Sequence, residues 1–564
     1  MQEAEEKFRE LLGKQSKTLK QAVAEYKKRY GRDPPAGFDK WWEFAVENGV
    51  RLVDEFDGLS EDLEPFWSLT GEEFRERAAE AGQLSSIDMV QIRNGQAEAY
   101  NAKPEYEDDD ISMRGRGFLL MIRKFEHLLP DMYLPVNARS EGRVLVPWEL
   151  RQNPNITLED LVGDNSISSS LYTADWQGHG NVWEAYRRIC PPTSPARRLI
   201  SSKRTPSRSP TPYFASPYPA TPGPDFKFAR TVDGSLDINY FCENPWAHLN
   251  QGLFFSDWRT VPILYPILSP AKAEGFGDVR IPSHYYYGTT RRYTYAWDEV
   301  TLDMRALDSM EMPWEMKDEK MFWRGATTGG GSSPPGFAAG YHRHRLVRMA
   351  SDDTPKNRTV VFADPPSSSN YIFTKIPTSS LNNDIMDVAF VTSVDSTHYP
   401  GGLAQEQADH RFDDAALLRD YWAHKYVLDL DGASYSGKFF AYLASDSAVV
   451  KASVYKEFWS DWLVPWLHYI PLSSSYKEIY NIHSFFSGPS ESALLASNSS
   501  ALELPPAQRK SLDGDRKLRR IARAGKQWKK TIGRQVDMEA YVYRLCLEYA
   551  RLWADDREAA SFTL

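Results

Sequence analysis

Apolar residues along this chain follow two different spacings. From residue 1 to about residue 30, Leu and Ala recur three and four positions apart among charged residues, the period of an amphipathic helix. The run stops at Gly31-Arg32-Asp33-Pro34-Pro35, where two prolines forbid its continuation. A second helical stretch carries Phe38, Trp41, Trp42 and Phe44, rings suited to clamping this N-terminal stem onto the body. Between residues 57 and 165, helical patterns surround two strand-like runs, 132–137 and 143–146, with turn formers between them. Such a strand end can lift polar side chains into a cleft.

From Cys190 to Asp225, Pro, Ser, Thr and Arg dominate and no apolar period survives, so residues 191–225 read as a long mobile surface loop. Strand-like runs return at Phe254-Phe255 and Val261-Pro262-Ile263-Leu264. Gly277-Asp278-Val279-Arg280-Ile281-Pro282 reads as a strand leading into a loop rich in Tyr285, Tyr286 and Tyr287. From Pro313-Trp314 onward, apolar strands at 359–362, 388–391 and 426–430 alternate with helical stretches, the pattern of a parallel sheet with crossover helices. A last helix, with Asp537 as its N-cap, places Met538, Tyr541, Val542, Leu545, Tyr549 and Leu552 on one face.

A chain of 564 residues exceeds what one hydrophobic core usually organises. The predicted division is a helical stem (1–56), a first α/β domain (57–310), a second (311–535) and a C-terminal helix packing back on the body (536–564). Aromatic residues make up 13% of the chain, with 17 Trp and 30 Tyr, enough for some rings to serve recognition of flat apolar surfaces such as sugars as well as packing. The net charge of -10 gives no global footprint for nucleic acid, so any phosphate binding must be local. The densest basic stretch contains Arg516, Lys517, Arg519, Arg520, Arg523, Lys526, Lys529 and Lys530. It reads as a solvated helix face, the alternative being a polyanion or membrane-surface contact.

Three cysteines exclude a cysteine-rich zinc framework. Cys190 and Cys242 flank the loop-like segment and could close it with a disulfide, whereas Cys546 sits in an apolar helical pattern as a buried thiol. No secretory h-region is present, and no apolar run is long enough to span a bilayer. Sequons at Asn155, Asn357 and Asn498 permit glycosylation in a lumen, and the charged helical start reads as a stem cut from an anchor.

Two segments carry candidate chemistry. Phe322-Trp323-Arg324-Gly325-Ala326-Thr327-Thr328-Gly329-Gly330-Gly331 is a strand ending in an Arg-Gly pair and a hydroxyl-bearing glycine loop, followed by Tyr341-His342-Arg343-His344-Arg345 at a helix start. Close backbone approach and fixed positive charge from Arg324, Arg343 and Arg345 suit a diphosphate, with Gly325 and Thr327 in the loop. The spacing fits neither a P-loop nor a dinucleotide fingerprint. In the second segment, an apolar strand delivers Asp429 and Asp431. Gly432, Ala433, Ser434, Tyr435, Ser436 and Gly437 follow as a small-residue turn, and Lys438 opens a helix. Asp429-Leu430-Asp431 also matches the Asp-x-Asp pattern that holds a divalent metal, so a metal stays open as an alternative.

With these segments in hand, the chain resembles the CAP10 family, glycosyltransferase family 90, which also contains the animal protein O-glucosyltransferases. The resemblance runs over nearly the whole chain. It rests on Tyr30-Gly31-Arg32-Asp33-Pro34-Pro35-Ala36-Gly37-Phe38, Leu129-Pro130-Asp131-Met132, the Trp-Arg-Gly segment, residues 425–439, and Trp462-Leu463-Val464-Pro465-Trp466-Leu467-His468-Tyr469-Ile470-Pro471 in this order. Within the family it looks closest to fungal beta-1,2-xylosyltransferases of capsule or glycolipid glycan synthesis. That implies UDP-xylose as donor and a mannose-containing oligosaccharide or glycolipid as acceptor, with UDP-glucose as the alternative donor. The resemblance further implies a GT-B architecture, two Rossmann-like domains facing a cleft, and inversion at the anomeric carbon with no cofactor required. It implies a Golgi-lumen enzyme, type II in full length, that meets the membrane only through an anchor absent from this chain.

Carried over residue by residue, the resemblance gives Arg345 and the turn from Ala433 to Lys438 as diphosphate contacts. Lys438 stands where animal relatives carry an arginine, so a point charge replaces a bidentate clamp. Pro282 and Ser283 match a segment bordering donor or acceptor. The family's general base is an aspartate shortly after Pro-Asp-Met, and Asn137-Ala138-Arg139-Ser140-Glu141-Gly142 aligns Ser140 with it. A serine cannot serve as that base unaided. Either Glu141 takes over one position on, or Asp131 acts, or the chain is a catalytically silent glycan-binding protein on the same fold. No Gly-x-Ser-x-Gly elbow supports a serine hydrolase.

Overall fold

The computed structural model describes residues 1–102, 111–152, 182–198, 228, 241–258, 260–288, 311–354, 356–366, 368–505 and 508–564. Most of the predicted loop 191–225 and the sequon at Asn155 lie outside the described residues.

The N-terminal stem is three helices, α1 (Gln2–Lys14), α2 (Leu19–Tyr30) and α3 (Phe38–Glu47). The single helix expected up to residue 30 is split because the Thr18 side chain accepts the Gln21 N–H and caps a fresh start for α2. The stem is fastened to the C-terminal helix Gln535–Trp553. Trp41 Nε1 donates to the Ala540 carbonyl at 2.9 Å, the Tyr26 hydroxyl donates to Glu548 at 2.9 Å, and the Arg544 guanidinium lies 4.6 Å from the Phe38 ring. That C-terminal helix starts three residues earlier than predicted. Arg534 holds the capping position, and Asp537 sits inside the first turn, accepting the Arg534 N–H at 2.9 Å.

The first half of the chain contributes β1 (Ile87–Arg93), β2 (Gln96–Asn101), β3 (Met132–Asn137), β4 (Leu268–Ser269), β5 (Ala271–Ala273) and β6 (Val279–Arg280). Five of them form a sheet in the order β2-β1-β3-β4-β6, with β1 antiparallel to β2 and β3, and with β3, β4 and β6 mutually parallel. The strand expected at 132–137 is β3. The β1–β2 hairpin replaces the helix expected in this stretch. Its turn is Asn94-Gly95, both at positive φ (51° and 74°), the two-residue connection whose twist matches the flanking strands. Residues 87–90 of β1 are all buried, so alternation is lost and the strand hides in the sequence.

Three further runs are corrected. Residues 143–146 and 261–264 make only a single parallel bridge, Val144 to Val261. Pro262 lacks the N–H that a ladder needs, and the N–H groups of Arg143 and Val144 go instead to the buried carboxylate of Asp278 at 3.0 Å. Phe254-Phe255 ends a 3₁₀ helix, Gly252–Phe255.

The second half supplies β7 (Asp318–Ala326), β8 (Asn357–Ala363), β9 (Tyr371–Pro377), β10 (Met386–Thr392), β11 (His424–Leu430), β12 (Ala448–Ala452), β13 (Tyr455–Glu457) and β14 (Ile470–Pro471). β10, β7, β11, β12 and β14 lie side by side in that order, every neighbouring pair parallel. Helices cover both faces, which is why β11 reads as an unbroken apolar run: Tyr426, Val427, Leu428 and Leu430 are all buried. The strand expected at 359–362 exists as β8 but pairs antiparallel with β9, outside this sheet. β13 pairs with β5 and joins the two halves.

The helix Leu512–Thr531 carries the basic stretch. Lys517 pairs with Asp513, Arg519 with Glu315, Arg520 with Glu5, and Lys526 with Glu311 and Asp446. This is the solvated, acid-paired face expected of such a run. Cys190 and Cys242 are disulfide-bonded, and Cys546 is a buried free thiol. Among the described residues no helix is long and apolar enough to cross a membrane.

One contact braces the first half internally, and another rests it on the second. Asp62, 1% exposed, receives Arg280 Nε at 2.8 Å and Lys272 Nζ at 2.6 Å. Burial alone would raise its pKa, but the two cations outweigh burial and hold it below the usual carboxylate range. At Gly252, a Cβ would fall 1.5 Å from the Gly329 carbonyl oxygen, so the backbone of the first half rests directly on the glycine loop after β7. Asp62→Asn leaves two buried cations without their counter-charge and should cost about 3–5 kcal/mol in urea unfolding. The wild-type pair is at full strength above the ordinary Asp pKa and is lost only as pH falls through the depressed one, so the gap between wild type and variant should close in acid. Gly252→Ala should lower stability by about 1–3 kcal/mol through forced separation of the two backbones, read in the same unfolding series.

Candidate functional site

In parallel α/β sheets the ligand-facing edge is the carboxyl end of the strands, where loops leave toward helix N-termini. Here β7 and β11 end side by side, and the glycine loop and the turn 431–438 leave from them. The glycine loop is held down: the Ser332 and Ser333 hydroxyls donate to Asp257 at 3.0 and 2.8 Å, and the Tyr341 hydroxyl donates to the Gly331 carbonyl at 2.7 Å. Thr327 is buried in the same web, its hydroxyl donating to the Val394 carbonyl and accepting the Val394 N–H.

The three predicted arginines differ in what they do. Arg324 points toward β10: its guanidinium is paired with Asp387 at 2.8 Å and Asp413 at 3.0 Å, while Gly325 follows it beneath the Trp323 indole. Only the backbone of Arg324 faces the turn, its carbonyl accepting Lys438 Nζ at 3.0 Å and the Tyr421 hydroxyl at 2.7 Å. Arg345, 1% exposed, donates to the carbonyls of Gly340, Ser474 and Asn250. It braces three loops. Arg343 is half-buried and ties the strand ends together, donating to the carbonyls of Ala326 and Asp431 and to the Thr328 hydroxyl at 2.6 Å. Of the predicted cations, Arg343 is the one packed against the start of the turn, its guanidinium covering Gly432. It lies one residue into α5 (His342–Ala350), whose first N–H groups also open toward the strand ends.

The turn is closed from the other half of the molecule. Pro282 and Ser283 leave β6, and Ser283 caps the four-residue α4 (His284–Tyr287). The Ser283 hydroxyl meets the Tyr435 hydroxyl at 2.6 Å, and the Tyr286 hydroxyl reaches the Ser436 carbonyl at 2.8 Å. Gly432 N–H donates to the Ser434 carbonyl at 2.7 Å, and the Tyr455 hydroxyl donates to the Ala433 carbonyl at 3.4 Å. The expected border segment and the expected turn thus meet. Gly437 leads into Lys438, whose ammonium is drawn back under the turn to Arg324 and Tyr421.

Glu141 lies just past the carboxyl end of β3. The Asn137 amide donates to its carbonyl at 2.7 Å and the Ser140 hydroxyl to its carboxylate at 3.1 Å. Its charge acts on Tyr455, which itself touches the turn, so Glu141 stands on the same side as 431–438. Asp131 does not. It is at the other end of β3, about 20 Å of strand away, and its carboxylate accepts the Asn94 N–H at 2.7 Å in the hairpin turn. As an alternative base beside Glu141 it is corrected to a turn-capping residue.

Behind the turn lies a charge cluster that sequence reading had only half seen. Asp429 on β11 and Asp431 just past its end project beside Lys451 of β12 and Glu457 of β13, all four 1% exposed or less. Lys451 Nζ is 2.7 Å from Asp429 and 3.8 Å from Glu457, so the Asp-x-Asp pair is met by an ammonium. Among the described residues no group of three or more His, Cys, Asp or Glu side chains is arranged to hold a metal ion. Burial pushes Asp431 up to about 7 and Glu457 up to about 8, against the opposing pull of Lys451. Burial also drives His342 well below its ordinary value, so the imidazole at the start of α5 is neutral. Gln251, wholly buried next to Gly252, has neither amide atom partnered among the described residues. Lys451 and Glu457 had a signal, single charges inside buried strands; Gln251 had none.

Residues 255–487 match the family model for glycosyl transferase family 90. Protein O-glucosyltransferase 2 of Danio rerio is 22% identical over 289 residues, a match that covers 51% of this chain and 43% of the relative. The chain therefore spans less than half of that relative's length. Glu141 and Gln251 lie outside the matched span of the family model, whereas α4, the glycine loop, α5, the turn, Lys451 and Glu457 lie within it. Built on the parallel strands of the second sheet and reaching back to β4, residues 255–487 form a glycosyl transferase family 90 domain.

Proposed function

We propose that this chain is an inverting glycosyltransferase that moves xylose from UDP-xylose to a mannose-containing glycan, with residues 57–310 and 311–535 as the two halves of a GT-B cleft. The observation that carries this reading is the Ser283–Tyr435 contact, which closes the turn 431–438 between two sets of strand carboxyl ends. The donor diphosphate lies against the N–H groups of that turn and of the start of α5, with Arg343 beside it. Arg324, Arg345 and Lys438 act as braces that hold those N–H groups in place. In the transfer step Glu141 takes the proton of the acceptor hydroxyl, the oxygen attacks the anomeric carbon, and the bond to UDP breaks on the opposite face, so configuration inverts. No metal is needed for this step, since the leaving diphosphate is met by fixed dipoles and one guanidinium.

A glucose donor is the second reading, favoured by the name of the zebrafish relative. A silent glycan-binding protein is the third, favoured by Ser140 at the position of the family's base. The Cys190–Cys242 disulfide and the exposed sequon asparagines Asn357 and Asn498 support a place in the Golgi lumen.

Incubation with UDP-xylose or UDP-glucose and a mannose oligosaccharide should release UDP and yield a xylosylated product. Turnover with UDP-glucose alone would move the donor assignment, and release with neither would sink the enzymatic reading. Glu141→Gln should lower kcat by about 10²–10⁴-fold while UDP still binds; undiminished turnover would remove Glu141 as the base.

A further inference from the structure

The Tyr286 hydroxyl sits 2.8 Å from the Ser436 carbonyl oxygen and 2.7 Å from Glu457 Oε2. A carbonyl only accepts, and a phenol has one proton to give. Two such short contacts around one hydroxyl oxygen need a second proton. Tyr286 is not the ionised partner, because burial and then Glu457 push its own pKa well above the ordinary value. We infer that Glu457 carries that proton in the resting protein and donates it to Tyr286, which in turn donates to Ser436 and so positions the turn for a nucleoside diphosphate.

The charge count of the cluster requires the same thing. One ammonium, Lys451, faces three carboxylates, Asp429 on β11, Asp431 just past its end and Glu457 on β13, and none has access to water. Tyr286 on α4 and Tyr435 on the turn are the other titratable groups facing Glu457, and the Glu457 backbone N–H is taken by the Ser460 hydroxyl. Asp429 neutralises Lys451, and any further ionised carboxylate is an unmatched buried charge directly behind the anion-binding turn. Burial accordingly keeps Glu457 protonated up to about pH 8. The Tyr286 ring is fixed in turn by stacking on Phe440 at 4.2 Å. Glu457 is a positioning residue: it touches no ligand, and it acts through Tyr286 and Ser436. The inference rests on the donor site proposed above for its functional half, and on hydrogen-bond geometry alone for the proton.

UDP itself, titrated calorimetrically into the full chain, is the probe. Its phosphates finish ionising near pH 6 and its uracil imide begins to ionise only toward the alkaline end, a change met equally by wild type and variant, so between about pH 7 and about pH 9 the difference between the two proteins reports the protein. Wild-type affinity should fall about tenfold over that interval as Glu457 ionises, whereas Glu457→Gln, whose amide donates to Tyr286 and cannot ionise, should lack that fall above about pH 8, where Asp431 has already ionised in both proteins. The same pH dependence in both proteins would overturn the inference. Thermal unfolding without UDP separates the two claims. Between the ordinary Glu value of 4.5 and about 8, only the folded state holds the Glu457 proton, so wild type carries a loss of stability with rising pH that the variant lacks, while the Asp431 proton, held to about 7, is common to both. The Tm of Glu457→Gln relative to wild type should therefore climb through that window; a constant difference counts against the proton. If neither protein binds UDP at any pH while the Tm difference climbs, the donor-site reading fails and the proton stands. Should the variant not fold, infrared titration of wild type decides: a buried carboxylic-acid carbonyl band lost as pH passes about 8 is expected, and its absence overturns the proposal.

Discussion

The docking of α4 onto the β11 turn governs how the two sheets face each other, because the residues that leave β6 end within hydrogen-bond reach of the loop that leaves β11. Ser283 meets Tyr435, Tyr286 meets Ser436 and Glu457, and the Tyr286 ring stacks on Phe440. Directional bonds of this kind fix distance and angle, which apolar packing does not. Upstream, the Asp62–Arg280 pair anchors β6 itself, so the strand that presents α4 cannot slide. The strand ends of both sheets are thereby aimed at one place.

Positive charge around that place is mostly spent on the protein. Arg324 answers two carboxylates, Arg345 three carbonyls, and Lys438 a carbonyl and a hydroxyl. In the proposed donor site an anion would therefore be met chiefly by oriented N–H groups that cost no reorganisation when the ligand arrives. Conserving net neutrality behind the turn serves the same end, since a dipole-lined site is easily overwhelmed by one uncompensated charge at low dielectric.

Elements that depend on local chemistry were legible in the sequence. β3, β10 and β11, the helical N-terminal segment, the basic helix face and the position of the glycine loop and the small-residue turn at strand ends follow from periodicity, proline and glycine placement. What stayed hidden depends on partners remote in sequence. β1 is covered on both faces and lost its alternation, so only Asn94-Gly95 betrayed the hairpin. Residues 143–146 and 261–264 have strand composition but spend their N–H groups on Asp278 and lose one to Pro262. Arg324 and Arg345 sit in segments with the right composition for a phosphate site, yet their guanidiniums are engaged by Asp387, Asp413 and Ser474, which no spacing rule connects to them. Glu457 stands out as a single charge in a buried strand, but its role is defined by Tyr286, 171 positions away, which no local signal connects to it.

The Cys190–Cys242 bond has a consequence for how such a chain can change over time. The bond joins two α-carbons 5.4 Å apart across 52 positions of sequence. The helix Val182–Ile189 before it and the 3₁₀ helix Pro245–Asn250 after it therefore share one covalent boundary condition, whatever the length of chain between the two cysteines. Beside the bond the chain is also tied to the body, Ala196 being buried with its N–H on the Cys242 carbonyl at 3.1 Å, so a lineage that changed the length of this interval would keep both of its ends in place.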